Sequence, residues 1–426
     1  MSMRAARTSC RRAQNFSRSS NSLGSPRGLG SPKGISKLAL RTVTNSTSEP
    51  ATPKSPKKLA VVSGAGATTA RTPILKLMER GYNVVALTSN KENLSASVPG
   101  LEFVLVERNK MEDPDHFAKA TQEGMKKLGV EKVSQCTALN LIGGAVAPKG
   151  STLKKLNQDI PVAFFKGVKN IAERAAERLS LVHISSIAAT VNGMGSDCEY
   201  ARLKHETDER ILLKKPEKGS VTVLRPGLVL PDPTPCGRVD MGHAYSPDQF
   251  WASRVVPVLG SGNQFQQPVS EHCLYDAALN GAERDGDFAK IINAVGSDVV
   301  TQKELFTLVG RDGRRWVIHI PYKFARCIAE HFPMGRIAPY SVNAFEVLDQ
   351  MSQESQLLCA KDFEELLGRK PKGMREIYGQ TLVGGPAPIA EHARLIVSKS
   401  FEDRRALLQL AKAFIRSIDS WKITRH

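Results

Sequence analysis

Apolar residues along this chain come in short runs, parted by glycine-bearing turns and by stretches with helical spacing. Lys58 to Ser63 (KLAVVS) is an apolar run with adjacent valines, closed by glycine. Its length and β-branched content predict a strand buried on both faces of a parallel sheet. Gly64-Ala65-Gly66-Ala67-Thr68-Thr69-Ala70 follows, then a helical pattern to about Glu79, a break at Gly81-Tyr82, and a second strand over 83–87 (NVVAL). The alternation continues with strand three at 101–106, a helix at 113–127, strand four at 133–142 and a long helix at 153–178. Strand five at 179–184 ends in Ser185-Ser186. Repeated strand–helix units predict an α/β class, a doubly wound parallel sheet.

Strand, glycine-rich turn, helix and strand within roughly thirty residues form a dinucleotide-binding unit. Glycine lets backbone N–H groups approach a pyrophosphate, and the helix N-terminus favours its charge. Gly64, Gly66, Ala67, Thr68 and Thr69 are therefore candidate phosphate neighbours. The glycine fingerprint is incomplete, because Thr69 stands where its third glycine would be, and Ala67 and Ala70 fill the alternative register. The second strand runs into Thr88-Ser89-Asn90-Lys91, with no acid before Glu92. A ribose 2′-hydroxyl is usually held by an acid at this position. Ser89, Asn90 and Lys91 suit a 2′-phosphate better, so NADP(H) is favoured over NAD(H). Gly143-Gly144 closes strand four, at a place suited either to the nicotinamide end of the cofactor or to a simple strand-ending turn.

Tyr200-Ala201-Arg202-Leu203-Lys204 places Tyr200 and Lys204 on one face of a helix. Lys204 could lower the pKa of Tyr200 and let the phenol exchange a proton with a carbonyl or alcohol. Ser185 or Ser186 would orient the substrate oxygen.

Here the chain resembles the short-chain dehydrogenase/reductase superfamily, in its atypical extended branch. The resemblance runs from about residue 58 to 379. It is carried by Gly64, Gly66, Asn157, Ser185, Tyr200, Lys204 and the Arg225-Pro226-Gly227 turn. Val256 to Gly262 (VPVLGSG), Gln267-Pro268-Val269, Ala360 to Glu364 (AKDFE) and Leu367 to Pro371 (LGRKP) look most like one subgroup. That subgroup contains the NADPH-binding accessory subunit of mitochondrial complex I and its bacterial and plastid relatives. The resemblance implies a Rossmann domain at 58–230, a smaller substrate-side α/β lobe at 231–380, and an NADP(H)-binding structural or regulatory subunit of a large assembly such as complex I. Its alternative is an active NADP-dependent oxidoreductase or epimerase. Three departures run against catalysis. Ile187 stands where a catalytic Ser or Thr is usual, the gap from Ser186 to Tyr200 is short for contact, and Ser270-Glu271-His272-Cys273 replaces an HVDD-like segment of the subgroup.

Charge refines the picture. The chain carries 60 Lys/Arg against 42 Asp/Glu, a net +18. Residues 1–58 hold twelve of these cations and one acid, Glu49, so the body is only mildly basic. Residues 1–57 are rich in Arg, Ser and Pro, as in an organelle transit peptide; Arg4, Arg7, Arg11 and Arg12 favour a mitochondrion over a plastid. A retained basic tail binding an acidic partner is the alternative. An RNA- or ribosome-associated binder is a further reading, weakened because the basic stripe lacks interleaved aromatics. Residues 381–426 follow a Gly-Pro linker; Leu407, Leu410, Phe414, Ile418 and Trp421 recur at helical spacing among Arg and Lys. That extension suits packing on the body, a partner subunit or, less well, an anionic membrane face. No run approaches the roughly 18 apolar residues of a transmembrane helix. Seven widely spaced cysteines without a CxxC pair, and nine histidines without ligand spacing, predict neither disulfides nor a metal site. His183, on an apolar strand, reads as a satisfied core residue.

Overall fold

The computed structural model describes residues 58–67, 70–90, 98–145, 147, 150–191, 198–230, 255–263, 265–301, 304, 316–321, 360–373 and 376. Thr68, Thr69, Lys91, the basic segment at 1–57 and the extension at 381–426 lie outside these residues.

The first half alternates strand and helix as the pattern predicts. β1 (Lys58–Ser63), α1 (Arg71–Glu79), β2 (Tyr82–Thr88), β3 (Leu101–Leu105), α2 (Pro114–Lys127), β4 (Val133–Asn140), α3 (Ile160–Ala175), β5 (Ala176–Ile184), α4 (Glu199–Leu212) and β6 (Gly219–Pro226) follow in order. Short strands come next: β7 (Val229–Leu230), β8 (Val255–Leu259), β9 (Phe265–Gln266) and β10 (Val269–Ser270). α5 (Glu271–Glu283), β11 (Phe288–Ala294), β12 (Val300–Thr301), β13 (Trp316–Ile320) and α6 (Lys361–Leu367) complete the described elements.

Seven strands form one sheet in the order β11-β6-β5-β4-β1-β2-β3. Every pairing in it is parallel. The direction of winding reverses between β1 and β4, which opens a crevice at the C-terminal ends of these two strands. In doubly wound sheets that crevice is where ligands bind. β7, β8 and β9 pair outside this sheet with β10, β13 and β12.

Successive residues of a strand face opposite sides, and β1 shows why it must be apolar throughout. Ala60 and Val62 join the core under α1, α5 and α6, which includes Ile74, Leu77, Cys273 and Phe363. Leu59 and Val61 join the opposite core with Phe117 of α2, Phe164 and Phe165 of α3, and Ile211 of α4. Each such buried aliphatic or aromatic side chain contributes about 1.5–3 kcal/mol.

The predicted helix over 153–178 starts at residue 153 as expected, but is widened in its first turns and ends early. Residues Lys155–Asp159 form a π turn and the regular helix begins at Ile160. Pro161 lacks the N–H that would continue an α-helical ladder back to Asn157, which accounts for the widened turn. At the other end, Ala176 to Arg178 are strand, because they pair with Val133 to Gln135 of β4. Smaller adjustments of one or two residues apply to β2, β3 and β4, while β1 keeps its predicted bounds. α2 is capped by Asp113, whose side chain accepts from the Asp115 N–H at 2.9 Å, with proline in the first turn.

Candidate nucleotide and active site

The glycine-rich turn leaves β1 directly into the crevice. Gly64 has φ +76°, a left-handed conformation that only glycine adopts without strain. A Cβ there would also press on the end of β4, 3.1 Å from Ile142 Cγ1. Ala65 is tied down by its N–H to Leu87 O at 3.1 Å, whereas Gly66 and Ala67 are exposed at the crevice. α1 then starts without a side-chain cap and without an acid in its first turn. An uncapped helix start without an acid in its first turn suits an anion.

At the end of β2, Thr88 Oγ1 accepts from the Asn90 N–H at 3.0 Å and shapes the turn. Ser89 Oγ accepts from Arg108 Nε at 3.3 Å. Arg108, in a short 3-10 turn after β3, was not singled out by the sequence reading. Nineteen residues of chain separate it from Ser89, and only the β2–β3 pairing brings the two together.

The chemical set lies at the ends of β4 and β5 and on α4. Asn157, in the π turn, is buried and pins the loop after β4. Its Oδ1 accepts from Gly144 N at 3.0 Å and its Nδ2 donates to Gly144 O at 2.9 Å. That loop brings Gly143 against the Lys204 amine. Lys204 is only 2% exposed and its Nζ lies 5.9 Å from the centre of the Tyr200 ring. Tyr200 lies near Ser186, whose side chain acts to lower the phenol's pKa. The short gap between Ser186 and Tyr200 does not hold the two segments apart: Ala188, in the 3-10 turn Ile187–Val191, packs with Cys198 and Ala201 and against Tyr200. Ile187 is buried and supplies no hydroxyl; Ser186 faces the phenol in its place.

Ser185 plays a different part. It lies near Asp208, one helical turn beyond Lys204, and its buried Oγ has no partner at hydrogen-bond distance. The two adjacent serines thus divide, Ser186 to the phenol and Ser185 to a buried carboxylate.

The electrostatics correct one expectation. Lys204 does not draw the Tyr200 pKa down. Burial pushes the phenol up, and the Ser186 contact only partly offsets this. Lys204 sits over the ring rather than at the phenolic oxygen, so its charge has little leverage there. Burial also lowers Lys204 itself to about 8, against the attraction of Asp208. His183 is held well below its ordinary value by burial and by the Lys204 charge, so its ring is neutral. His183 is satisfied on one side only. Nδ1 lies 3.0 Å from Asn140 Nδ2, while Nε2 has no partner at hydrogen-bond distance.

Among the described residues no cluster of His, Cys, Asp and Glu is arranged to hold a metal, and no helix is long and apolar enough to cross a membrane. Cys136, Cys198 and Cys273 are buried free thiols.

Sequence comparison matches neither a protein-family model nor a curated relative. Solved structures with the same fold are found at low identity. Epimerase Mth375 from Methanothermobacter thermautotrophicus aligns at TM-score 0.53 and 15% identity, over 80% of this chain and 95% of that one. WbmG from Bordetella bronchiseptica, in complex with NAD and UDP, aligns at 0.51 and 13%, over 76% and 92%. MoeE5, in complex with UDP-glucuronic acid and NAD, aligns at 0.50 and 15%, over 76% and 97%. At these identities the likeness establishes the Rossmann-type architecture, which agrees with the extended short-chain dehydrogenase resemblance read from the motifs.

Proposed function

We propose that this protein binds NADP(H) across the β1–β4 crevice and uses Tyr200, with Lys204 and Ser186, to pass a proton to or from a carbonyl or alcohol, as an NADP-dependent oxidoreductase or epimerase. The convergence of Ser186 and Lys204 on Tyr200, beside a glycine that leaves room for the amine, is the observation that carries this reading. A decayed scaffold has no need to keep a buried lysine against a glycine.

The residues present fit the nucleotide. Gly64 gives the tight turn, which the Ala67 N–H closes on Gly64 O at 3.0 Å, Gly66 and Ala67 lie exposed where a pyrophosphate would approach, and the uncapped start of α1 favours its charge. The bound nucleotide would supply or accept a hydride. Lys204 would hold the nicotinamide ribose, Gly143 would border it, and Tyr200 would hold or release the proton. MoeE5 and WbmG are seen with NAD. For this chain the phosphorylated form is proposed, because Arg108 stands beside Ser89 where a 2′-phosphate would lie, with Asn90 and Lys91 following.

A second reading is favoured by the partial burial of Tyr200. A phenol pushed up by desolvation stays protonated, which suits a protein that holds its nucleotide without turning it over. In that reading the protein is a structural or regulatory subunit of a larger organellar assembly, respiratory complex I being the one the motifs resemble. Its partners would be protein subunits, the basic leader would direct it to the mitochondrion, with a plastid as the alternative, and the C-terminal basic stripe could touch a partner or a membrane face.

Native purification tests both. The nucleotide carried by the protein is measured, its size on a native gel is recorded, and NADPH oxidation is followed with a panel of carbonyl compounds. Turnover by a small free protein supports the enzyme. Bound NADPH in a large complex without turnover supports the subunit. Protein that carries no nucleotide and takes none up defeats both.

A further inference from the structure

The stripe on α4 that carries Tyr200 and Lys204 continues by four residues to Asp208. Its carboxylate is fully buried. Arg225 of β6 donates from Nε to Oδ2 at 2.6 Å. An ordinary structural ion pair would need no more than this. The other oxygen, Oδ1, has no partner at hydrogen-bond distance, and neither have His183 Nε2 or Ser185 Oγ. Oδ1 and His183 Nε2 are 3.8 Å apart.

A hydrogen-bonded row leads to this point from the glycine turn. Ser63, Asn140 and His183 stand in register across β1, β4 and β5 at the last residues before the crevice. Ser63 Oγ donates to Asn140 Oδ1 at 2.6 Å. Asn140 Nδ2 donates to Ile142 O at 3.1 Å and faces His183 Nδ1 at 3.0 Å. An amide nitrogen can only donate, so Nδ1 accepts, and a neutral ring then carries its proton on Nε2. The row ends with that N–H turned to the free oxygen of Asp208.

We infer that Asp208 is a positioning residue for the Tyr200–Lys204 pair: clamped by Arg225 and backed by the Ser63–Asn140–His183 row, its carboxylate keeps the Lys204 amine charged and seated beside Gly143. This rests on the reading of Tyr200 and Lys204 as the working pair. A buried ammonium is unstable without an opposite charge. Asp208 is the group whose charge opposes the desolvation of Lys204. The charged and titratable groups around the pair are Cys198, Tyr200, Lys204 and Asp208 of α4 and its cap, His183 and Ser185 at the end of β5, and Arg225 of β6, which lies 3.4 Å from His205 through Nη2. Arg225 alone is bonded to the carboxylate; Lys204 stands one helical turn away and feels its charge without a direct ion pair, so loss of Asp208 leaves Lys204 without that counter-charge.

The test follows the Lys204 amine directly in the full chain without nucleotide. The protein is labelled with 13Cε-lysine, and the Lys204 NMR signal is assigned by its loss in Lys204→Met. In Asp208→Asn the titration midpoint of Lys204 should fall by about one pH unit or more, and in Asp208→Glu it should return toward that of the unaltered protein. A midpoint unmoved in a folded Asp208→Asn variant overturns the inference. Should that variant not fold, the unaltered protein decides. With aspartate carboxyls also labelled, the Asp208 and Lys204 signals must each show an inflection at the other's midpoint; independent titrations overturn it. Because no nucleotide is present, a failure of nucleotide binding, measured separately by calorimetry, is distinguishable from a failure of this coupling.

Discussion

Gly143 and Lys204 are sterically interlocked. A Cβ on residue 143 would fall on the Lys204 amine and 3.3 Å from Asn157 Oδ1. The glycine is not only a turn after β4: its missing side chain is the space the ammonium occupies. Gly143→Ala should displace Lys204, lower stability by about 1–3 kcal/mol, and weaken NADPH binding by more than the stability loss explains. Thermal unfolding and calorimetry on one preparation check both parts.

Arg108 reaches Ser89 from a different strand end. Removing a charged hydrogen-bonding partner of a phosphate costs about 1.5–3 kcal/mol, which is roughly tenfold or more in affinity. Arg108→Ala should lose that factor for NADPH and leave NADH almost unaffected. Equal losses for both nucleotides would show that Arg108 only shapes the turn.

Tyr200→Phe separates proton transfer from binding. If the protein is an enzyme, turnover should fall about 10²–10⁴-fold, with little change in nucleotide affinity. The fold should survive, since the ring remains in its packing with Ala188, Cys198 and Ala201.

Lys204 makes stability depend on pH in a set direction. Its ordinary value is 10.5, and burial lowers it to about 8 in the folded chain. Below pH 8 both states hold the proton and the full penalty of burying the charge applies. Between 8 and 10.5 the unfolded chain binds more protons, so stability rises with pH and the penalty disappears. Lys204→Met should therefore be more stable than the unaltered protein at pH 7, by at most about 3 kcal/mol, and the difference should shrink as pH rises through that window. Denaturant unfolding at pH 7, 8 and 9 measures it.

Much of the site was legible because its spacing is local. Tyr200 and Lys204 are four apart on one helix, Ser186 closes a strand, and Gly64 closes another; such relations follow from the geometry of single elements. The signal for Asp208 was present in the same way, as the next step of the Tyr200–Lys204 spacing, and was not used. The π turn was hidden because the run from 153 to 178 keeps an apolar helical pattern, and the effect of Pro161 on it was not drawn. Arg108 and the Ser63–Asn140–His183 row could not be read by spacing. Ser63 and Asn140 are 77 residues apart, and Asn140 and His183 are 43 apart.

By itself, then, the sequence determined the alternation of strand and helix, the doubly wound class, the glycine-rich turn after β1 and the Tyr–Lys spacing, because hydrophobic period and turn chemistry act within a few residues. Only the tertiary structure decided which serine faces the phenol, that burial rather than Lys204 governs the Tyr200 proton, that Gly143 makes room for an ammonium, and that a buried carboxylate stands behind it. Those outcomes depend on strand register and on desolvation. Both arise only when distant segments pack side by side and exclude water.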